Sequence, residues 1–146
     1  MFNFFKKKIF SNRYMDKAHA TDAGFDIYTP DAFVVPPRGY AKVNTKLRVV
    51  IPKGCVGLVL PRSSMSKIGL HVCTGVIDSG FSGEICLSVN NLTDHYLRFS
   101  LLQRIAQLVI LPCVLPKNVI VSAAKVEDLN SKISDRGDGG FGSTGA

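Results

Sequence analysis

Strict alternation of apolar and polar residues inside short runs is the feature that most restricts this chain. In EICLSVN (84–90), Ile85, Leu87 and Val89 fall on one face of an extended strand, and Glu84, Cys86, Ser88 and Asn90 on the other. Comparable apolar runs are FDIYT (25–29), AFVV (32–35), KVNTKLRVVI (42–51), VGLVL (56–60), RIAQLVI (104–110) and NVIVS (118–122). The turn formers PPRG (36–39), IPKG (51–54), SGFSG (79–83) and LPK (115–117) separate them. No segment carries an apolar stripe of helical period over the ~3 turns of an ordinary helix. SSMSKIG (63–69) has room for one short helix at most. Many short strands at close spacing predict an all-β sandwich, barrel or jelly roll, not a sheet wound with helices.

A chain of 146 residues, 46% hydrophobic and 20% charged, is long enough for one domain with a real core, spanning 1–146. No run approaches the ~18 apolar residues of a membrane span, and the opening MFNFFKKKIF lacks the apolar core of a secretory leader. Cys55, Cys73, Cys86 and Cys113 form no CxxC pair, and each sits in an apolar run. They are expected to be small buried hydrophobes of a reduced, intracellular protein. His19, His71 and His95 are scattered, so no metal site built from protein ligands is expected. The net charge is +7. Lys6, Lys7 and Lys8 admit two readings, a basic targeting or nucleic-acid patch and a solvated, charge-protected edge strand. The remaining excess suits an anionic substrate as well as a nucleic acid.

Polar chemistry concentrates in five segments. From about Lys132 the composition turns glycine-rich, and RGDGGFGSTG (136–145) brings together a guanidinium, an aromatic face, two hydroxyls and a freely turning backbone. Such a tail can wrap a phosphate chain, or it can be an ordinary linker. It is not a Walker loop, having neither Gly-Lys-Ser/Thr nor a helix to follow. PRSSMS (61–66) follows an apolar strand with Arg62, Ser63 and Ser64, the groups of a phosphate clamp if they face a cleft. GVIDSGFSGEI (75–85) reads as a β-hairpin, with Asp78 set before its turn and expected to be partly buried. ATDAGFDIY (20–28) and RIAQL (104–108) each read as a strand with polar residues on one face.

Taken in order, these segments resemble the five signature motifs of the trimeric dUTP diphosphatases, and they extend over nearly the whole chain. The resemblance implies a distorted jelly-roll-like β-barrel subunit in a homotrimer with shared active sites, whose arm (about 132–146) closes over a neighbour's site. It implies hydrolysis of dUTP to dUMP and pyrophosphate, with Mg²⁺ held through substrate phosphates and water. Asp78 would direct the attacking water, and Arg62, Ser63, Ser64 and Gln107 would hold the phosphates. Gly75, Val76 and Ile77, with the returning strand near Cys86, would read uracil through main-chain hydrogen bonds. Phe81 would lie under the deoxyribose and Phe141 over the base, while Arg136, Gly142, Ser143 and Thr144 belong to the closing arm. Neither a membrane nor stable nucleic-acid binding is implied.

The chain departs from the family pattern near the third and fourth motifs. Phe81 stands where tyrosine is usual, Gly80 where aspartate is usual, Ser82 where arginine is frequent, and Leu102-Gln103 where Gly-Asp is usual. These leave the geometry of that turn open. Two other readings compete. A dCTP deaminase shares the fold but needs a glutamate proton shuttle, and the matching position is Ser88. A non-catalytic, dUTPase-like regulatory module would have no use for an Asp beside a phosphate clamp.

Overall fold

The computed structural model describes residues 13–114. NVIVS, the basic N-terminal run, and Arg136, Phe141, Gly142, Ser143 and Thr144 lie outside the described residues. Within them the chain is all-β apart from one short helix. Strands β1 (Met15–Asp16), β2 (Gly24–Tyr28), β5 (Cys55–Pro61), β7 (Gly75–Ile77) and β10 (Arg104–Pro112) form a sheet in the order β1-β2-β10-β5-β7. Strands β4 (Tyr40–Asn44), β6 (Leu70–Val72) and β8 (Cys86–Asn91) form a second, ordered β4-β8-β6. Strands β3 (Phe33–Val35) and β9 (Leu97–Phe99) make a two-stranded third, and helix α1 (Ser63–Lys67) follows β5. No described helix is long and apolar enough to cross a membrane.

Alternation places the core where the sequence expects it. Ile85, Leu87 and Val89 are all buried, and Cys86 on the opposite face is exposed. All three sheets feed one cluster, with Ile27, Val59 and Leu108 from the first, Val43, Leu70 and Val72 from the second, and Val35 and Phe99 from the third. Burying each such side chain is worth about 1.5–3 kcal/mol. Phe33 and Phe99, directly paired across strands, stack with ring centres 4.7 Å apart.

Four expectations need correction. KVNTKLRVVI does not continue as one strand: β4 stops at Asn44, because Lys46 takes a left-handed conformation (φ 58°) that breaks the extended backbone. The strands on either side of SGFSG do not pair as a hairpin. β7 pairs with β5, whereas β8 pairs with β4 and β6, so residues 78–85 cross from one sheet to another. The four thiols are free, but only Cys55 is buried; Cys73 and Cys113 are half-buried and Cys86 is exposed. Lastly, Asp78 is exposed and not partly buried, since it lies just beyond the end of edge strand β7.

Candidate active site

β10 is the strand around which the polar groups gather, because β2 pairs with one of its edges and β5 with the other. Its register sets Gln107 opposite Asp26 on β2 and opposite Leu60 on β5. A bulge between Arg104 and Ala106 buries Ile105 and Ala106 in succession and re-aims Arg104 toward Asp26.

Asp26 is the hub. One carboxylate oxygen lies 2.8 Å from Arg62 Nε and the other 3.3 Å from an Arg104 terminal nitrogen. The Asp26 side chain is only 13% exposed and that of Arg62 24%, so this pair is far less screened than the open surface pairs Arg38–Asp94 and Lys46–Asp31. Arg62 also donates to the Arg104 carbonyl at 3.3 Å. Gln107 Nε2 donates to the Pro61 carbonyl at 3.0 Å, tying β10 to the last residue of β5. Gly24 makes room for that side chain: a Cβ there would stand 2.6 Å from Gln107 Oε1.

Ser63 and Ser64 open α1 directly after Arg62 and are exposed, with no hydrogen-bond partner for either hydroxyl among the described residues. The helix is pinned from beneath by buried Met65. Residues of the first, second and fourth motifs thus meet in one place, and they offer cationic and hydroxyl donors to an anion.

The third motif stands elsewhere. β7 runs antiparallel to β5 with Ile77 opposite Gly57, so Asp78 lies past the early part of β5, while Arg62 lies past its end. The strand between Gly57 and Arg62 covers roughly 16 Å. The Asp78 carboxylate has no hydrogen bond or ion pair among the described residues, and its main-chain carbonyl accepts the Phe81 N–H at 3.0 Å. The Phe81 ring is 40% exposed and packs over Gly83, where a Cβ would come within 2.6 Å of Phe81 Cζ. Gly75, Val76 and Ile77 form the outer strand of their sheet, with β5 on one side and no strand on the other among the described residues. Cys86 pairs with Asn44 across β8–β4, and its thiol reaches Asn44 Oδ1 at 3.2 Å.

The sequence reading assigned no role to Asp26, Arg104 or Gly24. A signal was present: Asp26 interrupts an otherwise apolar strand, and such a carboxylate needs a cation close by. Its partners, however, are 36 and 78 residues away in the chain, as the separations 62 − 26 and 104 − 26 show.

Three comparisons bear on this arrangement. A family model described as dUTPase matches residues 12–145. Deoxyuridine 5'-triphosphate nucleotidohydrolase of Oryza sativa subsp. japonica is 38% identical over 141 residues, covering 95% of this chain and 78% of the relative. The dUTPase of Staphylococcus bacteriophage 80alpha, solved with dUPNHPP, matches with a TM-score of 0.78 and 30% identity, covering 95% of this chain and 96% of that one. A mutant dUTPase from phage phi11 of S. aureus, whose structure concerns coordination of a structural Mg(II) ion, matches at TM-score 0.69 and 26% identity over 81% of this chain and 96% of that one.

Proposed function

The chain belongs to the dUTPase family, and on that premise we propose that it hydrolyses dUTP to dUMP and pyrophosphate at sites shared between copies in a homotrimer. The observation that carries the shared site is the placement of Asp78 and Arg62 at opposite ends of β5 and β7. One subunit cannot bring its own carboxylate to a phosphate held at its own clamp. A neighbour's Asp78 can.

Arg62, Ser63 and Ser64 grip the triphosphate, the two hydroxyls being uncommitted. Asp26 holds the Arg62 guanidinium from behind, which fixes its plane and leaves other N–H donors for phosphate oxygens. Gln107 braces the end of β5 through Pro61. Asp78 orients a water and takes its proton as the oxygen attacks the α-phosphorus in line. The bond to the bridging oxygen breaks, and pyrophosphate leaves.

Uracil recognition falls to the open edge of β7. Alternate residues of an antiparallel strand turn N–H and C=O away from their partner strand, so Gly75–Ile77 offers a main-chain donor–acceptor pattern to a base. Close main-chain contact leaves no room for the methyl of thymine and mismatches the amine of cytosine. Phe81 covers the sugar, and the arm residues Arg136, Phe141, Gly142, Ser143 and Thr144 complete the enclosure.

Among the described residues no three His, Cys, Asp or Glu side chains come together, and Asp26 is committed to two arginines. That donor set fits an Mg²⁺ carried in on the triphosphate and its waters, where it would neutralise charge on the leaving pyrophosphate. The deaminase reading lacks its proton shuttle, because Ser88 presents only a hydroxyl, 3.4 Å from that of Tyr40.

The test is pyrophosphate release from dUTP with Mg²⁺, against dTTP, dCTP and UTP, for the wild-type chain and Asp78→Asn. dUTP should be strongly preferred, and the substitution should lower its turnover by about 10²–10⁴-fold. Equal inactivity of both proteins would defeat the enzyme reading, and equal activity would remove Asp78 from its role.

A further inference from the structure

The turn that carries Asp78 and Phe81 is closed on itself but thinly attached. Phe81 N–H bonds the Asp78 carbonyl at 3.0 Å, and the Phe81 ring lies over Gly83. Between Ile77, paired to β5, and Glu84, a single hydrogen bond ties this turn to the rest of the described residues: an Arg48 terminal nitrogen donates to the Ser82 carbonyl at 2.7 Å.

Arg48 emerges from a bulge built against the same segment. Thr45 N–H and Thr45 Oγ1 both donate to the Ile85 carbonyl, at 3.2 and 2.6 Å, while Ile85 N–H donates to the Leu47 carbonyl at 2.9 Å. The residue between them, Lys46, takes φ 58° and donates its N–H to Glu84 Oε1 at 2.9 Å. Two facing residues thus share one partner, and the extra residue bends the strand. Leu47 and Ile85, each 1% exposed, anchor the bulge in the core. Arg48 itself is exposed and contributes nothing to that core.

We propose that Arg48 is a positioning residue for hydrolysis: its bond to the Ser82 carbonyl fixes the 78–83 turn, and so sets where the Asp78 carboxylate and the Phe81 ring meet the substrate. The proposal rests on Asp78 and Phe81 acting as described above. The turn is fixed at its ends, by Ile77 on β5 and by Glu84 and Ile85 at the bulge, and without the Arg48 bond nothing among the described residues holds the residues between those ends. Asp78 and Phe81 would then be displaced together, disturbing both water attack and sugar recognition.

The test is steady-state kinetics with dUTP and UTP for wild type, Arg48→Ala and Arg48→Lys, with thermal midpoints. Arg48→Ala should lower kcat for dUTP by about ten- to a hundredfold, narrow the preference for dUTP over UTP, and leave the midpoint essentially unchanged. Arg48→Lys, which keeps one cationic donor, should recover much of both losses. An Arg48→Ala protein with wild-type kcat and wild-type preference would overturn the proposal while leaving the function reading intact. A wild-type chain that releases no pyrophosphate from dUTP would overturn that reading and this proposal with it.

Discussion

Arg62 and Asp78 stand at opposite ends of one strand pair, Arg62 after the last residue of β5 and Asp78 one residue beyond the Ile77–Gly57 pairing. Arg62 is turned toward Asp26, its guanidinium 2.8 Å from that carboxylate. This separation within one subunit is what supports the proposal that each site draws its Asp78 from a second copy.

Asp26 is the counter-ion of both Arg62 and Arg104, so Asp26→Asn should disturb both. Removing a charge-assisted pair in this half-buried setting should cost about 1–3 kcal/mol, read as a lower urea midpoint with unchanged slope. The freed Arg62 should also raise KM for dUTP. An unchanged midpoint and KM would show that Asp26 merely decorates the clamp.

Gly24→Ala tests the packing of Gln107 against β2. The new Cβ would sit 2.6 Å from Gln107 Oε1 and 3.3 Å from Gln107 Cβ, so the side chain must leave its place and give up the Pro61 carbonyl. Loss of that bond should cost about 1 kcal/mol. KM for dUTP should rise by up to about tenfold. Wild-type kinetics in the alanine variant would mean that Gln107 does not brace the end of β5.

Much of the fold was legible because burial on one sheet face writes alternation into the strand, as in Ile85, Leu87 and Val89. β1, β6 and β9 were not, since two or three residues are too few to display a period. Lys46 hid a bulge inside an apolar run, because no residue type marks a left-handed position unless it is glycine or asparagine. The β7–β8 mispairing has a similar origin. A turn sequence shows that the chain reverses, but which strand each limb joins is decided by distant partners, here β5 and β4. At the site, the sequence drew attention to Arg62 and Gln107, which the fold brings together at the end of β5. The dependence of Arg62 on Asp26, and of the Ser82 carbonyl on Arg48, required the register of strands far apart in the chain.

Tyr28 gives the fold an alkaline limb. Its hydroxyl donates to Asp16 Oδ1 at 2.8 Å, and burial, followed by that hydrogen bond and the Asp16 charge, pushes its pKa above the ordinary 10.0. A raised folded-state value means that this contribution is fully present below the unfolded value and is lost as pH rises through the folded one. Tyr28→Phe should therefore flatten the decline of stability above about pH 10, measured by urea midpoints across that range. Parallel curves for the two proteins would contradict the coupling of Tyr28 to Asp16.

The shared site is tested most directly by mixing two crippled proteins. Asp78→Asn retains the clamp, and Arg62→Gln retains the carboxylate. Each should release little pyrophosphate from dUTP when assayed alone. Co-expression or denaturation and joint refolding should restore activity, because mixed assemblies contain sites that pair an intact Arg62 with a neighbour's intact Asp78. Joint refolding that yields folded, mixed assemblies with no recovered turnover would contradict a site built across subunits.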